Sequence, residues 1–378
     1  MHVLYFTDRY SLHDQLFVRT NLSNNNRVSY LSIEHPIREL ANQFPRGSLE
    51  VINWPNKSPR TYPYSTDVLS RLMPEFIDIL GIMKPDVLHS GPVQTSGFMS
   101  ALSGFHPFLL MSWGYDLLLD GDASDVSKRL TRFTLDASDM IVCDSHAVEN
   151  KVSQITNYPK SGLVRFPWGV ESEVFKPGAS SVDFKSKLGW QDCTIVISNR
   201  SMEPYYGVEI AVNSFYEAYL INDELRLLLI GDGSLAPQVR SLINELGIDS
   251  VVYMPGRVRH DLLPEYLRAA DIYLSCAYTD GSSVSLLEAM STGLPSIVTD
   301  IPSNREWIKH DVNGWLARPG DSRNFSELLV QASKLETEHL SDILGKNITK
   351  IKKYADWNQN SRKLLRAYEK LYKDSIER

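Results

Sequence analysis

Cysteine is scarce. The three in 378 residues, Cys143, Cys193 and Cys276, lie far apart and match neither metal-ligand nor redox spacing. Each falls in an apolar, strand-like segment, the pattern of buried free thiols in a reducing cytoplasm. No apolar run approaches the roughly twenty residues that a membrane-spanning helix needs. Any membrane contact is therefore expected to be peripheral. The opening MHVLYFTDRY turns polar too soon for a secretory signal. Long basic runs are missing too, and 39 Lys and Arg against 46 Asp and Glu leave a net charge of −7, which argues against nucleic acid as a partner. Glycine does not occur before Gly47. What remains is ordinary: 43% hydrophobic and 22% charged residues in a chain longer than one domain usually runs. Two soluble globular domains are the first expectation.

Short apolar runs alternate with helical patterns along the first half. Val3–Phe6, Val28–Ile33, Leu49–Asn53, Asp86–His89, Phe108–Trp113, Met140–Cys143 and Leu163–Phe166 read as strands. Val68, Leu69, Leu72, Phe76, Ile79 and Leu80 recur at helical spacing, and 124–137 is helical as well. Such alternation predicts parallel strands with right-handed crossovers, a Rossmann-like domain whose ligands sit beyond the carboxyl ends of its strands. That rule singles out His13 and Asp14, which either face a ligand or cap the following helix. It also singles out Trp113, Tyr115 and Asp116 of SWGYD, where Trp113 either stacks on a ligand or belongs to the core. The tripeptide Asp120-Gly121-Asp122 is a solvated turn rather than a metal site.

The second half repeats the alternation. Thr194–Ile197, Leu225–Ile230, Val251–Met254 and the segment from Ile272 to Tyr278 read as strands. Arg200 directly follows the first of them, where a planar fork of donors suits a diphosphate. Gly231-Asp232-Gly233 is a tight strand-to-helix turn. The most informative stretch runs from Tyr278 to Asp300. There a turn through Asp280, Gly281, Ser282 and Ser283 leads into a helix from about Val284, capped by Ser282 or Ser283 and stopped by Gly293 and Pro295. A helix start behind a Gly-Ser turn offers unpaired N–H groups and a positive dipole end to an anion. Acids at Asp280 and Glu288 are placed to hold hydroxyls. Further on, Glu306 caps a turn or pairs with Arg305, and Asp356 to Tyr372 forms a last helix.

The spacing from Asp280 through seven residues to Glu288, then Ala-Met, a small residue, Gly, one more residue and Pro, resembles the donor-sugar motif of family 4 glycosyltransferases. Asp280 stands where most members carry Glu. SWGYD resembles the family's His-Gly-x-Asp segment, with Trp113 in place of His and Gly114 and Asp116 kept. Arg165 to Pro177 resembles its interdomain junction, with Trp168 for Asn and Glu171 for Asp. Arg200 matches the phosphate-binding Arg, but Tyr205 and Tyr206 stand where a Lys is usual. Gly231 and Gly233 match the Gly-x-Gly turn near the nucleotide, and Gly256, Arg257 and Val258 the segment bordering the base.

The resemblance implies the α/β GT-B fold: two Rossmann-like domains facing across a cleft, with a C-terminal helix crossing back to the first. Residues 1–170 would bind acceptor, 171–190 link, 191–355 bind the nucleotide sugar, and 356–378 pack on the first domain. It implies retaining transfer of a sugar from a nucleotide-diphosphate sugar, UDP- or GDP-linked as first expectation, to an acceptor hydroxyl, with no obligatory metal. Arg200, Asp280, Glu288, Trp113 and Asp116 would serve catalysis. Tyr205, Tyr206, Gly231, Gly233, Arg257, Val258, Gly281, Ser282, Ser283 and Val284 would add to the donor site, and His13, Asp14, Trp113 and Tyr115 would face the acceptor. The rival readings are a GT-B epimerase or hydrolase and a non-catalytic sugar-nucleotide-binding subunit. The protein is expected in the cytoplasm, at most peripherally on a membrane.

Overall fold

The computed structural model describes residues 1–34, 43–55 and 64–377. The chain forms two compact units: Met1–Trp168 together with the chain from Asn358 onward, and Gly169–Trp357.

In the first unit the apolar runs become β1 (His2–Thr7), β2 (Arg27–Ser32), β3 (Leu49–Val51), β4 (Val87–Gly91), β5 (Phe108–Met111), β6 (Met140–Cys143) and β7 (Leu163–Arg165). They pair in the order β3-β2-β1-β4-β5-β6-β7, all parallel. Strands buried on both faces need no polar alternation, and β1 is buried along its whole length. The order reverses beside β1, where Thr7 lies opposite Ser32 of β2 on one side and Gly91 of β4 on the other. The crossovers are α1 (Leu12–Ser23), α2 (Thr66–Met83), α3 (Phe98–Ser103), α4 (Tyr115–Leu118), α5 (Asp125–Asp136) and α6 (His146–Ile155). Serines 65, 124 and 145 cap α2, α5 and α6 through their hydroxyls.

In the second unit α7 (Phe184–Leu188) precedes β8 (Thr194–Ser198), and α8 (Val208–Tyr219), β9 (Leu225–Ile230), α9 (Ala236–Glu245) and β10 (Val252–Gly256) follow. Then come α10 (Leu263–Arg268), β11 (Ile272–Ser275), α11 (Val284–Thr292), β12 (Ser296–Thr299), α12 (Pro302–Arg305), β13 (Trp315–Ala317), α13 (Ser322–Ala332) and α14 (Thr337–Tyr354). The strand order is β10-β9-β8-β11-β12-β13, again parallel throughout. β11 is shorter than the expected Ile272–Tyr278 because the chain leaves the sheet early: the Tyr278 N–H donates to the Tyr205 carbonyl (2.9 Å) instead of to a strand. The 171–190 stretch packs on this unit, with the Phe184 ring stacked on Tyr266 at 5.6 Å and 12°. The Arg305 guanidinium forks onto Asp300, just past β12, at 2.5 and 2.9 Å.

The last helix, α15 (Trp357–Ile376), completes the core of the first unit. Its Leu364, Ala367, Tyr368 and Leu371 are all buried. The Tyr368 hydroxyl meets His89 Nδ1 on β4 at 2.5 Å and accepts from the Asn21 amide of α1 at 3.2 Å. Burial pushes the His89 imidazole down to about 3, so it is neutral at any working pH and can accept the phenol's hydrogen bond. No helix among the described residues is long and apolar enough to cross a membrane.

Removing one hydroxyl at this junction strands His89 Nδ1 and leaves the Asn21 amide with only its bond to the Phe17 carbonyl among these partners. Tyr368→Phe should lower the stability of the first unit by about 2 kcal/mol, read as a lower urea midpoint at unchanged slope.

Candidate functional site

In the second unit the loops at the carboxyl ends of β8, β9 and β11 converge. Arg200, two residues beyond β8, points its guanidinium at the turn before α11. Nη2 donates to Asp280 Oδ2 at 2.7 Å, and Nη1 donates to the hydroxyls of Ser283 (2.8 Å) and Ser285 (2.7 Å). Ser283 holds the N-cap position, yet its hydroxyl makes no capping bond. It is spent on Arg200, so the N–H groups of the first turn of α11 are not capped from that side chain. The guanidinium lies 4.0 Å over the Tyr206 ring, which in turn stands edge-on to Tyr205. Arg200 is 8% exposed. Burial disfavours its charge, but the carboxylate of Asp280 more than offsets this and holds it above the ordinary arginine range. Its Nε is buried and has no acceptor among the described residues.

Three glycines allow this convergence. A Cβ on Gly231 would lie 2.3 Å from the Arg200 carbonyl, one on Gly233 2.5 Å from that of Met202, and one on Gly207 2.2 Å from that of Cys276. The Gly231–Gly233 turn therefore lies directly on the Arg200 loop. Glu203 of that loop accepts from the Ser234 hydroxyl at 2.6 Å and ties the two together. Glu288 lies three residues beyond Ser285 on α11, hence on the same helix face. It is buried, and its Oε1 meets His260 Nε2 at 2.9 Å. Arg257 is exposed beyond β10, and Val258 packs against the core beside it.

The candidates of the first unit gather at the carboxyl ends of β1 and β5. His13, Trp113 and Trp168 form an aromatic group, with ring centroids 5.6 Å apart for His13–Trp113, 5.5 Å for His13–Trp168 and 4.9 Å for Trp113–Trp168. Tyr115 opens α4 and is half-buried. Asp116 and Asp14 are buried in the fabric of the domain. Asp116 accepts from the Ser112 hydroxyl (2.7 Å) and from the Val93 and Leu117 N–H groups (each 3.0 Å), which fastens the β5 end to the turn after β4. Asp14 forms a capping box with Ser11 and accepts from the Tyr5 hydroxyl at 2.6 Å. Burial raises the Asp116 carboxyl to about 6 and that of Asp14 to about 7, against the pull of these bonds. Asp122 pairs with Lys151, and no group of three or more ligating side chains gathers around a point where a metal would fit among the described residues.

Four contributors escaped sequence reasoning. Ser285 is hidden inside a helical pattern, and His260 lies 28 residues from Glu288 with no spacing to link them. Trp168 was visible only as a departure from the junction pattern. Asp8, just past β1, keeps Oδ1 on the Arg9 N–H (2.7 Å) but has Oδ2 buried without a donor among the described residues.

Each unit is thus a parallel Rossmann-like sheet, and the second carries a basic side chain at a helix start. Residues 182–364 match the family described as Glycosyl transferases group 1, and residues 2–145 that described as Glycosyl transferase 4-like. The chain belongs to the family 4 glycosyltransferases. Among curated relatives it is 25% identical over 266 residues to N-acetyl-alpha-D-glucosaminyl L-malate synthase of Bacillus anthracis, covering 70% of this chain and 66% of that protein. It is 29% identical over 188 residues to an Escherichia coli UDP-Gal:alpha-D-GlcNAc-diphosphoundecaprenol alpha-1,3-galactosyltransferase, covering 48% and 47%. The chain thus spans less than two thirds of the length of these relatives. Its fold is that of Anabaena Alr3699/HepE solved with UDP and glucose (TM-score 0.79, 16% identity, 98% and 100% covered). It is also that of sucrose-phosphate synthase from Thermosynechococcus elongatus (TM-score 0.82, 13% identity, 99% and 100% covered).

Asp8 yields a pH prediction. Burial, opposed by Arg9, lifts its carboxyl from 3.8 to about 7, so its contribution to stability is intact below pH 4 and is lost as pH rises through 7. Asp8→Asn should therefore stabilise the protein at pH 8 by about 2 kcal/mol, a gain that shrinks as pH falls through 7 and is gone only below pH 4, as thermal unfolding across pH would read.

Proposed function

We propose that this protein transfers a glycosyl group from a nucleotide-diphosphate sugar to an acceptor hydroxyl, with retention at the anomeric carbon. The observation that carries this reading is the Arg200 guanidinium joined to Asp280, Ser283 and Ser285 at the start of α11. On this reading the donor lies on the second unit. Its diphosphate meets Arg200, the main-chain N–H groups of Gly281, Ser282, Ser283 and Val284, and the hydroxyls of Tyr205 and Tyr206. Asp280 and Glu288 take hydroxyls of the donor. Gly231 and Gly233 leave room for close approach of the nucleotide, and the main chain at Arg257 and Val258 borders the base. The acceptor lies on the first unit beside His13, Trp113 and Tyr115, on a frame braced by Asp14 and Asp116.

The chemistry follows from charge. As the bond between the anomeric carbon and the phosphate oxygen breaks, the carbon becomes oxocarbenium-like and the diphosphate gains negative charge. Arg200 stabilises that charge, and its Nε is a donor left unspent among the described residues. The acceptor oxygen bonds to the anomeric carbon on the face the diphosphate leaves, and its proton passes to the departing phosphate oxygen. No separate protein base is required. Where most members of the resembled family have a Lys, this loop has two tyrosines, so the loop itself offers the diphosphate one guanidinium, that of Arg200.

UDP- or GDP-linked donors fit best, as the names of the relatives include UDP-Gal. Cytoplasmic residence with at most peripheral membrane contact belongs to the same reading. A thermal-shift screen of UDP-, GDP-, ADP- and CMP-sugars tests it: one UDP- or GDP-sugar should raise the melting temperature of the wild type, and none should do so for Arg200→Ala. Stabilisation by none of them overturns the reading. With the donor so found, Arg200→Lys should lower kcat by about 10²–10³-fold, the usual loss when one charge-stabilising donor is displaced.

A further inference from the structure

Glu288 poses a physical problem that its neighbourhood answers in one way. The side chain is 6% exposed, and a carboxylate removed from water costs several kcal/mol unless donors satisfy it. Among the described residues its carboxylate has one hydrogen-bond partner, Nε2 of His260, 2.9 Å from Oε1. His260 arrives on the loop after β10, flanked by Arg259, whose fork is committed to Asp261 at 3.0 and 2.6 Å. The imidazole leans on the Phe175 ring at 5.3 Å and 49°, and its side chain is 30% exposed. A carboxylate only accepts, so Nε2 carries the proton whether the ring is neutral or cationic. A ring held by an aromatic face, donating to one oxygen of a buried acid, fixes the rotation of that acid and leaves the second oxygen for another donor.

We propose that His260 is a positioning residue for donor binding: by holding Oε1 it presents Oε2 of Glu288 to the vicinal hydroxyls of the nucleotide sugar. This rests on the reading of the pocket as the donor site. On this reading His260 acts through Glu288 rather than on the diphosphate or the reacting carbon. The group that must be supplied at position 260 is one N–H at the distance of Nε2, which glutamine provides and leucine does not.

Calorimetric titration of the full chain with UDP-glucose and with GDP-mannose tests this. For whichever of the two the wild type binds, His260→Leu should raise Kd about tenfold and His260→Gln less than threefold. In the Glu288→Gln background, adding His260→Leu should change Kd less than about twofold, because the two residues form one unit. Equal Kd for wild type and His260→Leu, or equal losses for the Leu and Gln variants, overturns the inference and leaves the donor-site reading standing. Wild-type binding of neither, together with no stabilisation across the UDP-, GDP-, ADP- and CMP-sugar screen, overturns both. Should His260→Leu fail to fold, the imidazole ¹⁵N resonances of the wild type answer the question, with those of His260 identified by their loss in His260→Gln. They should shift on saturation with the bound nucleotide sugar, and unmoved resonances overturn the inference.

Discussion

Everything at the proposed donor site depends on one buried ion pair, Arg200 with Asp280. A cation and an acid taken out of water are costly unless mutual attraction and further hydrogen bonds compensate. Here Ser283 and Ser285 accept from the same guanidinium and Tyr206 covers its face, so all of the cation but its Nε is held by side chains from a loop, a turn and a helix. The pair is thereby structural before any ligand arrives. It holds the turn before α11 against the loop after β8, and the glycines at 207, 231 and 233 let main chain meet main chain where a Cβ would collide.

The two units solve opposite electrostatic problems with the same sheet. At the carboxyl edge of the second sheet, a permanent cation is embedded between polar groups, which suits a multiply charged leaving group. At the corresponding edge of the first, buried carboxyls at Asp8, Asp14 and Asp116 are all pushed upward by burial, and the rings of His13, Trp113 and Trp168 pack beside them. Such an edge is poorly suited to phosphate and better suited to a neutral, ring-shaped polyol. The division of labour between donor and acceptor proposed above follows from that contrast.

The α/β class, the strands and the α11 segment are legible in the sequence because they rest on local signals: apolar runs, a Gly-Ser turn, Gly293 and Pro295. Ser283 shows where local reading stops. Its position as N-cap is visible, but its hydroxyl bonds to a residue 83 positions earlier, a choice made by tertiary packing. Asp116 and Asp14 show the same limit in reverse. They sit at strand ends, where ligands bind in such sheets, yet their oxygens are taken up by Ser112, Tyr5 and main-chain N–H groups. His260 has no local signature at all, since its meaning comes only from Glu288. The exchange of His for Trp113 is visible in the sequence, whereas its packing on Trp168 appears only when β5 and the end of the first unit are brought together.

The course of the chain has a bearing on how the protein is made. The first unit needs α15, whose Leu364, Tyr368 and Leu371 fill its interior, but that helix is encoded after the whole of the second. On the ribosome, domains generally form in the order they emerge. Here the amino-terminal unit must wait, with His89 and Asn21 lacking their shared phenol, until the second unit has been synthesised. The second unit can therefore mature first, and the first emerges as an unfinished body closed only by the final helix.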